Sequence, residues 1–326
     1  MGVKLNSHEE GSKFIETLLD MVQSIIVRMT KPWFWNDVLY YLFSTGREDA
    51  RRLKKVEDFV LNVIQARKAE FLQNNSSSGA KKPEVPGSRK RRLAFLDLLL
   101  EQHFNDPQQW TDADLEEEVQ IFFAAGHETV SVNIIWTLLM VANDGRIQGK
   151  LQQEIDDAWA HFELSNHPDR LGLSSEHLQA MPYLEAVIKE SLRLVPPSMT
   201  MGRYAREDVH LDDGLVIPRG STVIMLIQRI HHDPAFFPQP ERFIPERWTD
   251  PEAPHLANSF AYVPFSGGSR NCVGKNFALK EAKISIASIL RHFSLEALQT
   301  VDKFTLDFRI VSIPKEPVYI RFVPRL

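Results

Sequence analysis

The chain has 326 residues, of which 38 are Lys or Arg and 43 are Asp or Glu, and its formal net charge is −5. Hydrophobic residues make up 43% of it, as in ordinary globular proteins, and the lack of net positive charge gives no indication of a nucleic-acid partner. A single cysteine excludes an internal disulfide framework, and the absence of any run of 18 apolar residues predicts no membrane span.

Two amphipathic helices are predicted near the start, with an aromatic cluster between them. Apolar residues recur at spacings of three and four over 9–29 and over 48–72, and Pro32 ends the first helix. The cluster can belong to the core or lie near a bilayer surface, and the rarity of exposed apolar patches favours the core. Its members are Trp33, Phe34, Trp35, Tyr40, Tyr41 and Phe43.

A polar segment at 73–92 is predicted to be a flexible basic loop. It is rich in Asn, Ser, Gly and Pro, it includes the run Arg89-Lys90-Arg91-Arg92, and it has little apolar surface to bury. The basic run suits a solvated loop, a nuclear address or a contact with anionic lipid, and we favour the solvated loop.

One long helix is predicted over 112–141, after a shorter one that begins near residue 93. Its middle places Ala125 and Gly126 together, although Gly costs about 1 kcal/mol relative to Ala inside a helix. Small residues there indicate either close packing against another helix or contact with a flat ligand. Thr129 can bond back to the carbonyl of Ala125 and loosen the helix, and we interpret His127 as a packing residue.

The rest of the chain predicts further helices and short strands. In order these are helices at 149–162 and 183–194, strands at 200–205, 209–211 and 222–226, a Pro-rich irregular segment at 233–264, a helix at 276–293 and two or three closing strands. Glu190 and Arg193 share one face of the predicted helix at 183–194. Such a pair is usually a surface salt bridge worth under ~1 kcal/mol. The predicted fold class is mainly α with small β-sheets (α+β), in a single domain over 1–326.

The segment 265–274 carries the only cysteine, Cys272. A lone cysteine is most often a small buried apolar side chain. Here Gly267 and Gly268 allow a tight loop and Gly274 leads into a helix, so the sulfur lies at the positive end of a helix dipole, where a thiolate is favoured. A thiolate is an iron ligand or a nucleophile, and the sequence does not show which of the 11 His would activate a nucleophile.

The same segment closely resembles the haem-binding loop of the cytochrome P-450 superfamily, whose pattern is Phe, two residues, Gly, one residue, Arg, one residue, Cys, one residue, Gly. All five fixed positions match, as Phe265, Gly268, Arg270, Cys272 and Gly274. The resemblance implies the cytochrome P-450 fold and a heme b cofactor that these residues surround, with the Cys272 thiolate as the axial ligand of its iron.

The long helix carries a second family likeness. The run from Ala125 to Thr129 is similar to the family's central-helix motif, in which the acid and the threonine line the oxygen-binding pocket. The resemblance therefore gives catalytic roles to Glu128 and Thr129 and places Ala125 and Gly126 against the haem.

A third likeness joins two distant segments. Glu190 and Arg193 resemble the family's Glu-x-x-Arg helix, and Arg247 lies in its later Pro-Glu-Arg segment. The resemblance implies a buried triad, in which one carboxylate is shared by two guanidinium groups and fixes the loops beneath the haem. Arg203 corresponds to a haem propionate partner, and an exposed strand arginine is the alternative interpretation.

The chain looks most like the superfamily's fourth family, whose members commonly hydroxylate fatty acids and related lipids. The resemblance implies a monooxygenase that uses dioxygen and NADPH electrons delivered by a flavoprotein reductase, on an apolar substrate, at the endoplasmic reticulum membrane. Basic residues after the cysteine predict the reductase docking site. They are Lys275, Lys280, Lys283 and Arg291.

The sequence also departs from the family. Ala125 replaces a glutamate that many fourth-family members use to attach haem covalently, so no ester link is expected, and Val130 replaces the second of two threonines. The anchor, the early helices and a Trp-x-x-x-Arg helix have no counterpart, which predicts an N-terminally truncated chain holding the C-terminal two-thirds of the fold. Two rival hypotheses remain: a catalytically dead haem-binding fragment that acts as an interaction partner, and a helical interaction module that binds no haem.

Overall fold

The computed structural model describes residues 8–77, 93–163, 175–308 and 311–325. They are mainly helical with small antiparallel strand pairs, which confirms the predicted fold class. The chain divides into two compact units, with the boundary between Ala125 and Gly126. The single domain stays a prediction, and most of the predicted basic loop lies outside the described residues.

The first unit is built from helices. They are α1 (His8–Thr30), α2 (Asp37–Leu42), α3 (Ser44–Ser77), α4 (Phe95–Asn105) and the first part of α5 (Asp112–Ala142). The apolar faces of α1, α3, α4 and α5 form one core, in which Val60, Leu96, Leu100 and Leu115 are fully buried. α3 continues through residues 73–77, so the predicted loop begins later than expected.

The aromatic cluster between α1 and α3 is only partly in the core. Phe34 and Tyr40 are buried, which agrees with the core interpretation. The interpretation is wrong for the other four members, which lie at the surface around α2 rather than in the core. The exposed members are Trp33, Trp35, Tyr41 and Phe43.

The second unit adds five helices and four strand pairs within the described ranges. The helices are the rest of α5, α6 (Gly145–Glu163), α7 (Ser175–Gln179), α8 (Pro182–Leu194), α9 (Ile227–His231) and α10 (Lys275–His292). The antiparallel pairs are β1 (Thr200–Tyr204) with β4 (Thr222–Leu226), β2 (Val209–His210) with β3 (Val216–Ile217), β5 (Phe293–Ala297) with β8 (Ile320–Pro324), and β6 (Leu306–Phe308) with β7 (Ser312–Pro314).

α8 lies at the centre of the second unit's core. Apolar side chains of α6 and α10 pack against those of α8, and Ile155, Val187 and Ile286 are fully buried among them. Because α8 is covered on most faces, its polar residues Glu190, Ser191 and Arg193 are buried as well. No helix within the described ranges is both long and apolar enough to cross a membrane.

Candidate functional site

The chain turns sharply just before α10, and this turn presents the cysteine. Ser266 and Gly268 have φ angles of 66° and 80°, in the left-handed region that suits Gly and that other residues rarely adopt. The backbone N–H of Cys272 donates to the carbonyl of Phe265 at 2.9 Å, and Asn271 N–H donates to Gly268 at 3.2 Å. The loop therefore closes on itself and leaves the Cys272 side chain exposed at the start of α10.

Two of the expected glycine roles in this loop need correction. Gly274 has an ordinary φ of −81°, and a Cβ built there would lie 3.8 Å from the Cys272 sulfur, a normal contact distance. A Cβ on Gly267 would lie 3.6 Å from the Phe260 ring. The unusual backbone angles belong to Ser266 and Gly268 instead.

Cys272 is placed where its sulfur could bind the iron of a haem. The N-terminus of α10 follows at Lys275, and its dipole favours negative charge on the sulfur. In the part of the chain that the structure describes, no group of three or more His, Cys, Asp or Glu side chains is placed to hold a metal ion. A single cysteine thiolate is a ligand that a haem iron accepts, so Cys272 would suit haem.

Two arginines lie at or in the cysteine loop. Arg203, on β1, donates from Nη2 to the Ser266 hydroxyl at 2.7 Å and from Nη1 to the Gly202 carbonyl at 2.9 Å. Arg270 lies within the loop, with an exposed side chain. Guanidinium groups pair well with carboxylates, so both arginines are suited to propionate groups.

Among the described residues, no helix covers the small residues in the middle of α5. Ala125 and Gly126 are exposed, and a Cβ built on Gly126 would meet nothing within 4 Å. Exposure of both residues disagrees with close packing, and contact with a flat ligand stays a prediction. Glu128 and Thr129 are half-buried on the next turn, while His127 is exposed, so its interpretation as a packing residue is also wrong.

The structure brings Glu190, Arg193 and Arg247 together. Arg193 donates from Nε and Nη2 to the two carboxylate oxygens of Glu190, each at 2.9 Å, and both side chains are 0% exposed. Arg247 donates from Nε to Glu190 Oε1 at 3.2 Å. Burial lowers the pKa of Arg247, and the nearby Glu190 carboxylate opposes that shift.

The carboxylate of Glu190 has two further partners that the sequence reasoning missed. The Trp248 ring N–H donates to Oε2 and the Ile244 backbone N–H donates to Oε1, each at 3.0 Å. Arg193 in turn donates to the carbonyls of His231, Pro240 and Arg242. The buried pair therefore fixes the irregular segment before the cysteine loop, and no spacing rule would have predicted these contacts.

His231 is another residue that the sequence reasoning did not single out. It ends α9 and is 0% exposed, and its Nε2 accepts a hydrogen bond from the Val263 backbone N–H at 2.9 Å. Burial, reinforced by the charge of Arg193, lowers the pKa of His231 to about 3. The ring is therefore neutral in the folded chain at ordinary pH.

We expect His231 to make the fold less stable in acid. An unfolded histidine has a pKa of about 6.5, so between that value and the folded pKa of about 3 the unfolded chain binds a proton that the folded chain excludes. The contribution is fully present above pH ~6.5 and is lost as the pH falls through the window, by up to ~1.4 kcal/mol per unit. Urea unfolding at a series of pH values should show that the free energy of unfolding falls less steeply with decreasing pH in His231→Gln than in the native chain. An unchanged slope, or an equal change in His232→Gln, would contradict this expectation.

The predicted reductase-docking residues are not all available. Lys283 is buried, with Nζ 2.7 Å from a carboxylate oxygen of Glu185 and 3.1 Å from the Leu178 carbonyl. Arg291 donates to Asp156 at 2.7 Å. Because Lys283 is buried, its assignment to a docking surface is wrong. The Arg291 side chain is 33% exposed, and its assignment stays a prediction. Lys275 and Lys280 are exposed.

Comparison with known proteins finds one family and several relatives. The family model described as cytochrome P-450 matches residues 1–322. A rat (Rattus norvegicus) cytochrome P-450 4V2 is 36% identical over 326 residues, which cover 100% of this chain and 60% of the relative. A Drosophila melanogaster cytochrome P-450 4c3 is 32% identical over 98% of this chain and 58% of the relative. The pig (Sus scrofa) taurochenodeoxycholic 6 alpha-hydroxylase is 34% identical over 88% of this chain and 53% of the relative.

These matches extend over nearly the whole chain, and they define the class of protein to which it belongs. The chain belongs to the cytochrome P-450 family. The names of the rat and fly relatives place the likeness in the fourth family, which confirms that prediction. The chain spans about 60% of the length of its rat relative.

Proposed function

We propose that this chain supplies the thiolate side of a haem-dependent monooxygenase, with Cys272 as the ligand of the iron. The observation that carries the proposal is the display of the only cysteine at the start of α10, by a loop closed through the bond from Cys272 N–H to the Phe265 carbonyl. That arrangement presents a sulfur without burying it, which a purely structural cysteine does not need.

The other cofactor contacts follow from residues of the same loop and its neighbours. Arg203 and Arg270 would pair with the propionate carboxylates, and Phe265, Gly268 and Gly274 would shape the loop around the sulfur. Ala125 and Gly126 would present a flat, open stretch of α5. Bound haem with a thiolate ligand supplies dioxygen activation, because electron donation from sulfur favours O–O cleavage.

Glu128 and Thr129 would handle protons on the oxygen-binding side. They are half-buried on the turn that follows the open stretch of α5. A carboxyl and a hydroxyl on adjacent positions can hold and pass protons, and such transfer typically contributes a factor of ~10² to 10⁴. We therefore assign them proton delivery, in the absence of any better placed acid on that turn within the described chain.

For substrate, we propose a fatty acid or a related lipid. The fourth-family likeness favours fatty acids, and the pig relative is named as a hydroxylase of a bile acid, which is also a lipid with an acidic group. NADPH electrons would come from a flavoprotein reductase, and the fourth-family likeness suggests the endoplasmic reticulum membrane as the location.

The proposal is tested by turnover. Purified chain loaded with hemin, supplied with the reductase, NADPH and a panel of fatty acids and taurochenodeoxycholic acid, is expected to form a hydroxylated product that requires dioxygen and Cys272. Thiolate-type spectra without product from any lipid would instead favour the catalytically dead haem-binding fragment. A chain that binds no haem would favour the interaction module.

Reductase docking gives a separate prediction. Lys275 and Lys280 are the exposed members of the basic group on α10. Reversing both to Glu is expected to slow reduction of the haem several-fold at low salt, with a smaller effect at high salt because ions screen surface charge. Stopped-flow reduction measures this, and Lys303→Glu, an exposed reversal outside α10, serves as the control. Equal rates for the double variant and the control would remove the docking assignment.

A further inference from the structure

His231 lies outside the cofactor loop but is connected to it through the backbone. Its Nε2 accepts the Val263 N–H at 2.9 Å, and Val263 in turn accepts from Ser266 N–H at 3.0 Å. Phe265, between them in sequence, accepts the backbone N–H of Cys272 at 2.9 Å. The imidazole therefore holds the point at which the chain enters the loop.

The other side of His231 is held just as firmly. Arg193 donates from Nη1 to the His231 carbonyl at 3.0 Å, and Arg193 is itself paired with the buried Glu190. The His231 ring packs on Tyr262, with centroids 5.2 Å apart, and the Tyr262 hydroxyl donates to the Lys189 carbonyl at 3.1 Å. Arg193 and Lys189 both belong to α8. His231 and Tyr262, the residue before Val263, are therefore both hydrogen-bonded to that helix.

The chemistry of the ring explains why a neutral histidine is needed. Nε2 can accept from Val263 N–H only when it carries no proton, which fixes the hydrogen on Nδ1. Burial opposes protonation, so the acceptor is available at ordinary pH. A side chain without an acceptor at this point would leave the partly buried Val263 N–H unsatisfied, which is costly.

We infer that His231 is a positioning residue for the cysteine ligand. Its carbonyl is bonded to Arg193 of the buried Glu190–Arg193 pair and its Nε2 is bonded to Val263, so His231 fixes the loop that presents Cys272. This inference rests on the proposed function for the haem contact, but not for the order of the loop. His231 does not touch the sulfur and is not a catalytic residue.

Two amide variants form the matched test. The carbonyl oxygen of His231→Gln reaches the place of Nε2, whereas that of His231→Asn stops at the place of Nδ1. Hydrogen exchange of the hemin-loaded chain is expected to be at least tenfold faster at Val263 and Cys272 in His231→Asn and to stay near the native rate in His231→Gln. His231→Phe, which keeps a ring against Tyr262, is expected to behave like His231→Asn. His232→Gln is the control, because His232 bonds to Gln228 rather than to the loop.

A second readout concerns the ligand itself. After reduction under carbon monoxide, the thiolate-type fraction of the absorption spectrum is expected to fall in His231→Asn and His231→Phe and to be restored in His231→Gln. Native exchange at both amides in a folded His231→Asn or His231→Phe chain would overturn the inference, as would a failure of His231→Gln to restore them. A native chain without any thiolate-type spectrum would refute the proposed function instead, and the exchange rates would still decide the role of His231.

Discussion

Replacing Glu190 with Gln is expected to lower the free energy of unfolding by about 3–5 kcal/mol, the usual cost of removing one partner of a buried ion pair. The carboxylate is 0% exposed and accepts from Arg193, Arg247, Trp248 and the Ile244 backbone. An amide presents an NH₂ group where one of these donors points, and it leaves two guanidinium groups without a counter-charge.

Urea unfolding followed by circular dichroism measures the loss. Glu296→Gln is the matched control, because Glu296 pairs with Arg321 at 3.0 Å while both side chains are more than half exposed, and such pairs contribute only ~0–1 kcal/mol. A Glu190→Gln chain as stable as this control would show that the buried network does not support the fold.

Removing Glu128 or Thr129, to which we assign proton delivery by proposal, is expected to have the largest catalytic effect short of replacing Cys272. In Thr129→Ala and in Glu128→Gln, product formation should fall by roughly 10² or more, while NADPH consumption falls less. The reason is that electrons continue to arrive but protons no longer reach the oxygen-binding side in step with them. The ratio of product to NADPH consumed measures this uncoupling.

Ser131→Ala is the matched control for the threonine. Ser131 lies two positions after Thr129 in α5, and its hydroxyl donates to the His127 carbonyl at 2.7 Å. Its replacement therefore also removes one hydroxyl group from this part of the helix. The proton role of Thr129 would be contradicted if Thr129→Ala kept the native ratio of product to NADPH consumed. It would also be contradicted if this ratio fell equally in Ser131→Ala.

Local patterns predicted the elements well where the pattern itself decides the structure. The predicted helix over 112–141 matches α5 (Asp112–Ala142), and the predicted strand over 222–226 matches β4. α5 has acidic residues in its first turn and no Pro within it, and β4 alternates exposed and half-buried positions. α2 and α9 were missed, because helices of six and five residues carry too few positions to show a period.

Burial was harder to predict than secondary structure. Lys283 lies on the same helix as the exposed Lys275 and Lys280, and nothing in its own type shows that Glu185 and the Leu178 carbonyl surround it. His231 presents the same difficulty, because its partner Val263 is 32 positions away. Pairing across such distances is decided by packing, which a single sequence does not display.

Glu190, Arg193 and Arg247 show what family likeness adds. The spacing of Glu190 and Arg193 alone suits an exposed salt bridge, yet both side chains are fully buried. The motif order placed Arg247 beside them, and the structure has its Nε 3.2 Å from Glu190 Oε1. The roles of these residues and of the cysteine loop in holding haem remain predictions.

Absorption spectroscopy of the purified chain supplied with hemin tests the role of Cys272 most directly. The native chain is expected to take up one haem and, once reduced under carbon monoxide, to show the spectrum of a thiolate-ligated iron, whereas Cys272→Ala should not show that spectrum. A native chain that stays colourless, or an alanine variant with the native spectrum, would contradict the assignment of Cys272 as the iron ligand.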